Sequence, residues 1–245
     1  MATDIEVSLV LPAYNEASTI RGTIETTVES LAAFLPDGTF EVIVAEDGCD
    51  DRTPEIVQQI AETELSVEWS HSDERLGRGG ALELAFELAR GGTLAYIDTD
   101  LATDMRHLEE LIESVRSAGY DFATGSRWFP DRQADRPLKR RVPSYAFNGL
   151  ARLLFGSQVR DHQCGFKAFA RDPLFDVLDT VDARHWFWDT EVLVTAQRLG
   201  YRIREFPVTW THHSTTKVRL FRDIRQMGTQ LCSLWWRLNV DNRTN

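Results

Sequence analysis

Cysteine and lysine are nearly absent, with three of each among 245 residues. The cysteines, Cys49, Cys164 and Cys232, are odd in number and far apart. They form no Cys-x-x-Cys pair and have no histidine at zinc-finger distance, which excludes a disulfide framework and a structural zinc site. No apolar run has membrane-spanning length, so a polytopic membrane protein is excluded, while 42% hydrophobic and 27% charged residues exclude a disordered chain. The opening residues, Met1-Ala2-Thr3-Asp4-Ile5-Glu6, lack the basic and apolar regions of a secretory signal, which predicts a cytoplasmic protein. Neither a Gly-x-x-x-x-Gly-Lys P-loop nor a Gly-x-Gly-x-x-Gly after the first strand-like run is present, so ATPase and dehydrogenase readings lose their support.

Positive charge is what the first half lacks. Residues 1–126 hold 7 basic and 26 acidic side chains, a net of -19, whereas residues 127–245 hold 20 basic and 12 acidic, a net of +8. An acidic half suits metal-assisted handling of a ligand or a merely solvated face, and a basic half suits phosphate or an anionic membrane surface. Nucleic acid is not among the expected partners.

Residues 7–11 read as a strand ended by Pro12, and 16–34 as a helix with Ile20, Ile24, Val28 and Leu31 at helical spacing. The alternation continues with strands over 40–45, 65–69 and 94–97 and helices over 54–61, 81–90 and 105–118. After a further strand-like run at 121–125, residues 128–141 read as a polar loop; 144–155 then reads as helix, 165–170 as strand, 190–199 as helix and 202–210 as extended. Such alternation predicts an α/β fold, a mostly parallel sheet with helices on both faces.

In such sheets ligands bind outside the carboxyl ends of the strands. Those ends carry Pro12-Ala13-Tyr14-Asn15-Glu16, Glu46-Asp47-Gly48-Cys49-Asp50-Asp51 and Asp98-Thr99-Asp100. A lone Asp-x-Asp is most often a solvated turn. Three acidic strand ends at one edge point instead to a divalent cation bridging a diphosphate. Leu76-Gly77-Arg78-Gly79-Gly80-Ala81 opens a helix, and its backbone N–H groups or Arg78 could meet phosphate or a base; a glycine-rich helix start is the plain alternative.

These residues resemble the inverting family-2 glycosyltransferases of the GT-A fold, and among them the polyprenyl-phosphate sugar synthases. The resemblance runs through Pro12-x-Tyr14-Asn15-Glu16, Glu46-Asp47-Gly48-Cys49-x-Asp51-x-Thr53, Gly77-Arg78-Gly79-Gly80-Ala81, Asp98-x-Asp100 and Gly125-Ser126-Arg127. Arg160-Asp161-x-Gln163-Cys164-Gly165-Phe166-Lys167 and Trp186-x-x-Asp189-x-Glu191 look more specifically like the dolichyl-phosphate glucosyltransferases.

The resemblance implies that Pro12, Tyr14, Glu16, Asp47 and Arg78 meet the nucleotide, and that Asp98 and Asp100 hold Mg²⁺ or Mn²⁺ against the donor diphosphate. It further implies that Arg127, Arg140 and Ser144 take the acceptor phosphate and Lys217 the donor diphosphate. Two positions depart from the pattern: Ala102 stands where mannosyl-transferring relatives have a metal-holding Gln, and His212 or His213 stands where a cation precedes Lys217. The implied activity is inverting transfer of a hexose, glucose before mannose, from a nucleotide-sugar to dolichyl or another polyprenyl phosphate, feeding lipid-linked protein glycosylation. A lipid phosphate is already an anion and needs little help from a base. Extension of a dolichol-linked oligosaccharide at a hydroxyl is the alternative. Asp161 and Asp189 are candidates for orienting the site or, with a hydroxyl acceptor, for the base; pairing of Asp161 with Arg160 and capping of a helix by Asp189 are the plain readings.

Leu138-Lys139-Arg140-Arg141-Val142-Pro143 precedes an apolar helix, and Phe221, Ile224, Met227, Leu231, Leu234 and Leu238 form a stripe flanked by Arg222, Arg225, Trp235, Trp236 and Arg237. Basic, Trp-rich amphipathic segments suit a membrane interface, and packing on the domain itself or in a dimer is the alternative. The expected organisation is one catalytic domain over 1–220 and an amphipathic helix with its tail over 221–245, peripheral on the cytoplasmic face of the cell membrane.

Overall fold

Strands β1 (Val7–Ala13) and β2 (Phe40–Glu46) are almost wholly buried, which their near-continuous apolar sequences require of strands covered on both faces. The computed structural model describes residues 4–129, 138–211 and 220–240, apart from the side chains of 138–143 and 220–226. In chain order its elements are β1, α1 (Ile20–Ala32), β2, α2 (Thr53–Ala61), β3 (Val67–Ser70), α3 (Arg78–Leu88), β4 (Thr93–Ile97), α4 (Leu108–Arg116), β5 (Phe122–Ser126), α5 (Leu138–Phe155), β6 (Phe166–Ala170), α6 (Arg171–Leu178), α7 (Trp188–Leu199), β7 (Ile203–Pro207) and α8 (Leu220–Asn239).

The strands form one sheet in the order β3-β2-β1-β4-β6-β5-β7. Pairing is parallel except for β6, which runs antiparallel to β4 and β5 on either side. Alternate residues of each strand feed opposite cores. Leu9, Leu11, Val42, Val44, Ala95 and Ile97 pack with α1, α2 and α4 on one face. Val10, Ile43, Leu94 and Tyr96 pack with α3 and α5 to α8 on the other.

Three features differ from the sequence expectation, and a fourth decides between readings that the sequence left open. Pro12 does not end β1: the Ala13 carbonyl on the β2 side accepts from Asp47 N, so Pro12 faces the β4 side, beyond the last pair Val10–Tyr96, where no ladder donor is needed. α5 begins at Leu138, taking in the end of the expected loop. α6 was not anticipated; Pro173 sits in its first turn, where a missing N–H is tolerated. The α8 stripe is part of the domain, since Met227, Leu231 and Leu234 are buried and the latter two join the core over α7. Trp235 and Trp236 remain exposed, and the side chains of Phe221 and Ile224 lie outside the described residues.

Among the described residues, no helix is long and apolar enough to cross a membrane. Because Leu231 is fully buried, Leu231→Ala is expected to lower stability by about 2–5 kcal/mol in urea titration, against about 0.5 kcal/mol or less for Trp236→Ala.

Candidate active site

The end of β4 and the start of α7 meet at one largely buried arginine. Arg78, the first residue of α3, donates from Nη2 to Asp98 Oδ1 (2.7 Å) and from Nη1 to Asp189 Oδ2 (3.2 Å). Its guanidinium lies 5.1 Å from the Tyr96 ring and 5.2 Å from that of Trp186. Burial works against the Arg78 charge, and Asp98 and Asp189 more than offset it, so its pKa is raised. Asp189, in the first turn of α7, is itself buried. Its Oδ1 accepts from the Tyr96 hydroxyl and lies 3.1 Å from Lys167 Nζ. Lys167 is fully buried and also donates to the carbonyls of His162 (3.0 Å) and Cys164. Lysine, aspartate, arginine and aspartate thus alternate in charge from the core out to Asp98.

Asp98 follows β4 directly, and its backbone N–H donates to Gly165 O, at the start of antiparallel β6. Asp100 is exposed, with Ala102 N donating to its Oδ1 at 3.0 Å. Among the described residues, no group of three or more His, Cys, Asp or Glu side chains is arranged to hold a metal ion. One or two carboxylates are nevertheless what Mg²⁺ takes from a protein when substrate phosphates and water complete its shell, so Asp98 and Asp100 fit such an ion.

The glycine-rich start of α3 is not a phosphate cradle. Leu76 N and Gly77 N donate to the Asp47 carboxylate at 2.6 and 3.1 Å, and Gly79 N and Gly80 N to Arg184 O at 2.8 and 3.2 Å. The glycines serve packing instead: Gly77 has φ +85°, and a Cβ on Gly79 would lie 2.5 Å from Trp188 Cδ1. Asp47, whose carboxyl is pushed up by burial against the pull of these N–H groups, anchors the 75–77 segment. Arg75 stacks 3.6 Å from the Tyr14 ring centroid. Pro12 ends up one residue short of the end of β1, and Glu16 follows Asn15, held in the left-handed region at φ +54°. Glu16 N donates to Thr53 Oγ1 at 2.8 Å and Asn15 N to Cys49 Sγ at 3.1 Å, so the loops after β1 and β2 are stitched together.

Across the sheet, Arg127 follows β5 and makes a two-pronged pair with Asp161, Nε–Oδ2 2.6 Å and Nη2–Oδ1 2.7 Å. Asp161 therefore pairs with Arg127 rather than with Arg160. Burial opposes its ionisation, and the Arg127 charge and hydrogen bonds outweigh burial to hold the carboxyl below its usual range. Ser144, on α5, donates to Gln163 Oε1 at 3.4 Å. His162 clamps the same segment to α5, with Nδ1 2.9 Å from Asn148 Oδ1 and Nε2 2.8 Å from Ser157 Oγ. Burial pushes its imidazole down to about 4. The Arg140 side chain, Lys217, His212 and His213 lie outside the described residues.

Sequence reasoning gave no role to Lys167, Tyr96 or Gly165. A lysine inside the apolar strand Phe166-Lys167-Ala168-Phe169-Ala170 was the available signal, since a charge there must be paired. A Cβ on Gly165 would lie 2.0 Å from Asp98 Oδ2. Gly165→Ala is thus expected to drive Asp98 off Arg78 and to weaken Mn²⁺-dependent nucleoside-diphosphate binding by about 10- to 100-fold in calorimetry, with the fold retained. For His162, the unfolded chain takes a proton below about pH 6.5, the folded one only near 4. Stability is therefore expected to fall as pH drops through that window, and the fall to shrink in His162→Gln, followed by thermal melts.

Comparison with known proteins accords with this geometry. Glycosyltransferase AglD of Haloferax volcanii is 63% identical over 242 residues, which is 99% of this chain and 39% of that protein, so the chain spans about two-fifths of that relative's length. The dolichyl-phosphate beta-glucosyltransferase of Drosophila melanogaster is 29% identical over 255 residues, 96% of this chain and 76% of its own. Among solved structures, glucosyl-3-phosphoglycerate synthase from Mycobacterium tuberculosis in complex with UDP superposes with a TM-score of 0.69 at 20% identity, over 95% of this chain and 79% of that one. The same enzyme with Mn²⁺, UDP and phosphoglyceric acid gives 0.66 at 20% identity, over 95% and 78%. Residues 8–178 match Glycosyl transferase family 2, a span that takes in Asp47, Arg78, Asp98 and Arg127. The chain is a glycosyltransferase of that family, built on the GT-A fold.

Proposed function

We propose that this domain transfers glucose from UDP-glucose to dolichyl or a related polyprenyl phosphate, with inversion at the anomeric carbon. The observation that carries this reading is the state of Asp189. Of the two carboxylates that could serve a hydroxyl acceptor as base, Asp189 is buried and bonded to Tyr96, Lys167 and Arg78, and Asp161 is buried and paired with Arg127. An acceptor that is already an anion has no proton to lose and is indifferent to that engagement. The names of the dolichyl-phosphate beta-glucosyltransferase relatives and the UDP complexes of the fold neighbours support the donor and acceptor classes.

Positioning and charge then do the catalytic work. Mg²⁺ or Mn²⁺, held by Asp98 and Asp100, would neutralise charge on the departing diphosphate. Arg78 fixes the Asp98 carboxylate in place. Arg127 spends two nitrogens on Asp161, and among the described residues Nη1 has no hydrogen-bond partner. The α5 sequence adds Lys139, Arg140, Arg141 and Arg152 with no acid, so the acceptor side carries the positive charge that two approaching phosphates require. Together with exposed Leu153 and Trp236, those cations suit peripheral contact with an anionic membrane.

The test is transfer of labelled sugar from UDP-glucose, GDP-mannose and UDP-N-acetylglucosamine to short-chain dolichyl phosphate with Mg²⁺. A chloroform-soluble, acid-labile product from UDP-glucose is expected, reduced about 100-fold or more in Asp100→Ala. Bound donor with no phosphate glycosylated would refute the acceptor assignment.

A further inference from the structure

Asp189 is held by three side-chain donors, two of them on one oxygen. Arg78 already supplies a cation to Oδ2 and Tyr96 a hydroxyl to Oδ1. A third donor is a fully buried ammonium, held in place by the carbonyls of His162 and Cys164 as well as by Asp189. Burying such an ion costs several kcal/mol, and an apolar side chain of like size would avoid that cost. These donors crowd the carboxylate that shares one guanidinium with Asp98, so they are within one side chain of the proposed donor site.

We propose that Tyr96 and Lys167 are positioning residues that set acceptor class: by occupying Asp189 Oδ1 they deny the site a base and so suppress transfer to hydroxyls, water included. This rests on the lipid-phosphate reading above. Transfer to a hydroxyl requires the acceptor O–H bond to break, its proton passing to a carboxylate. Meanwhile the oxygen bonds to the anomeric carbon, and the bond from that carbon to the diphosphate breaks, its electron pair leaving with the nucleoside diphosphate. Proton removal by a placed base contributes about 10²- to 10⁴-fold to such a step. Each donor that stabilises the Asp189 carboxylate makes it a poorer base for that proton, and removing one restores part of its basicity, whereas attack by a phosphate oxygen forms and breaks the same carbon–oxygen bonds with no proton to move. The arrangement is therefore selective at no cost to the favoured acceptor, and it protects the activated donor from water while the lipid is awaited.

The test compares UDP-glucose hydrolysis without acceptor to glucose transfer onto short-chain dolichyl phosphate, in wild type, Tyr96→Phe, Lys167→Met, Lys167→Arg and the double variant Tyr96→Phe with Asp189→Asn. The ratio of hydrolysis to transfer is expected to rise about tenfold or more in Tyr96→Phe and Lys167→Met. It stays near the wild-type value in Lys167→Arg, which keeps the cation, and returns to that value in the double variant, which a general loosening of the site would not do. Should Lys167→Met fail to fold, Tyr96→Phe, the loss of one oxygen, carries the comparison alone. An unchanged ratio in folded Tyr96→Phe, or a rise that persists without the Asp189 carboxylate, overturns the proposal. If wild type glycosylates no lipid phosphate yet hydrolysis rises in the variants in an Asp189-dependent way, the acceptor assignment falls and the role of Tyr96 and Lys167 stands. Wild-type transfer to a hydroxyl that is lost in Asp189→Asn overturns both.

Discussion

A guanidinium shared by two carboxylates fixes the geometry of this site. Arg78 can remain charged and mostly buried only because Asp98 and Asp189 meet it from different elements, the end of β4 and the start of α7. The obligation is mutual: Asp189, buried at its helix start, needs Arg78, Lys167 and Tyr96 as donors. Four elements, α3, β4, β6 and α7, are thereby held at one point, and the only member of the string that reaches the site edge is Asp98. The glycines at 77, 79 and 165 follow from that closeness, since any side chain there would strike His185, Trp188 or Asp98.

The two sides of the site are built on contrasting electrostatic terms. On the donor side the carboxylates outnumber the cations at the strand ends, which leaves Asp100 outside the buried string and exposed. On the proposed acceptor side the Arg127–Asp161 pair is internally neutral, and the α5 sequence carries basic residues and no acid. That contrast is what the proposed transfer between two phosphates would use.

Much of this was legible in the sequence. The strand–helix alternation and the placing of Asp47, Asp98 and Asp100 at the carboxyl ends of strands follow from local pattern, because periodicity and turn chemistry act over a few residues. What stayed hidden depends on partners far along the chain. The N–H groups at the start of α3 read as open to phosphate until Asp47 and Arg184 are seen to take them. Asp161 sits next to Arg160 in sequence and 34 residues from Arg127, which it pairs with. Lys167 and Tyr96 look like members of apolar strands, and only the fold shows that both point at Asp189. The α8 stripe was equally compatible with membrane and core; its burial depends on the α5 and α7 surface it meets.

The antiparallel strand β6 has a consequence for how the protein comes into being. Strands β3, β2, β1 and β4 have all been synthesised by residue 97, whereas the neighbour that closes the other side of β4 ends at residue 170. β5 emerges earlier than β6 but pairs with β6 and β7, both later in the chain. At cellular elongation rates the nascent chain therefore passes about 4–15 s with β4 as an open edge. Arg78 has by then been made, but Tyr96 and Asp98 wait at the ribosome for Lys167 and Asp189, which complete their charge string. The charge string is complete only once α7 has been made, well after β1, β2 and β4 and the acids at their ends.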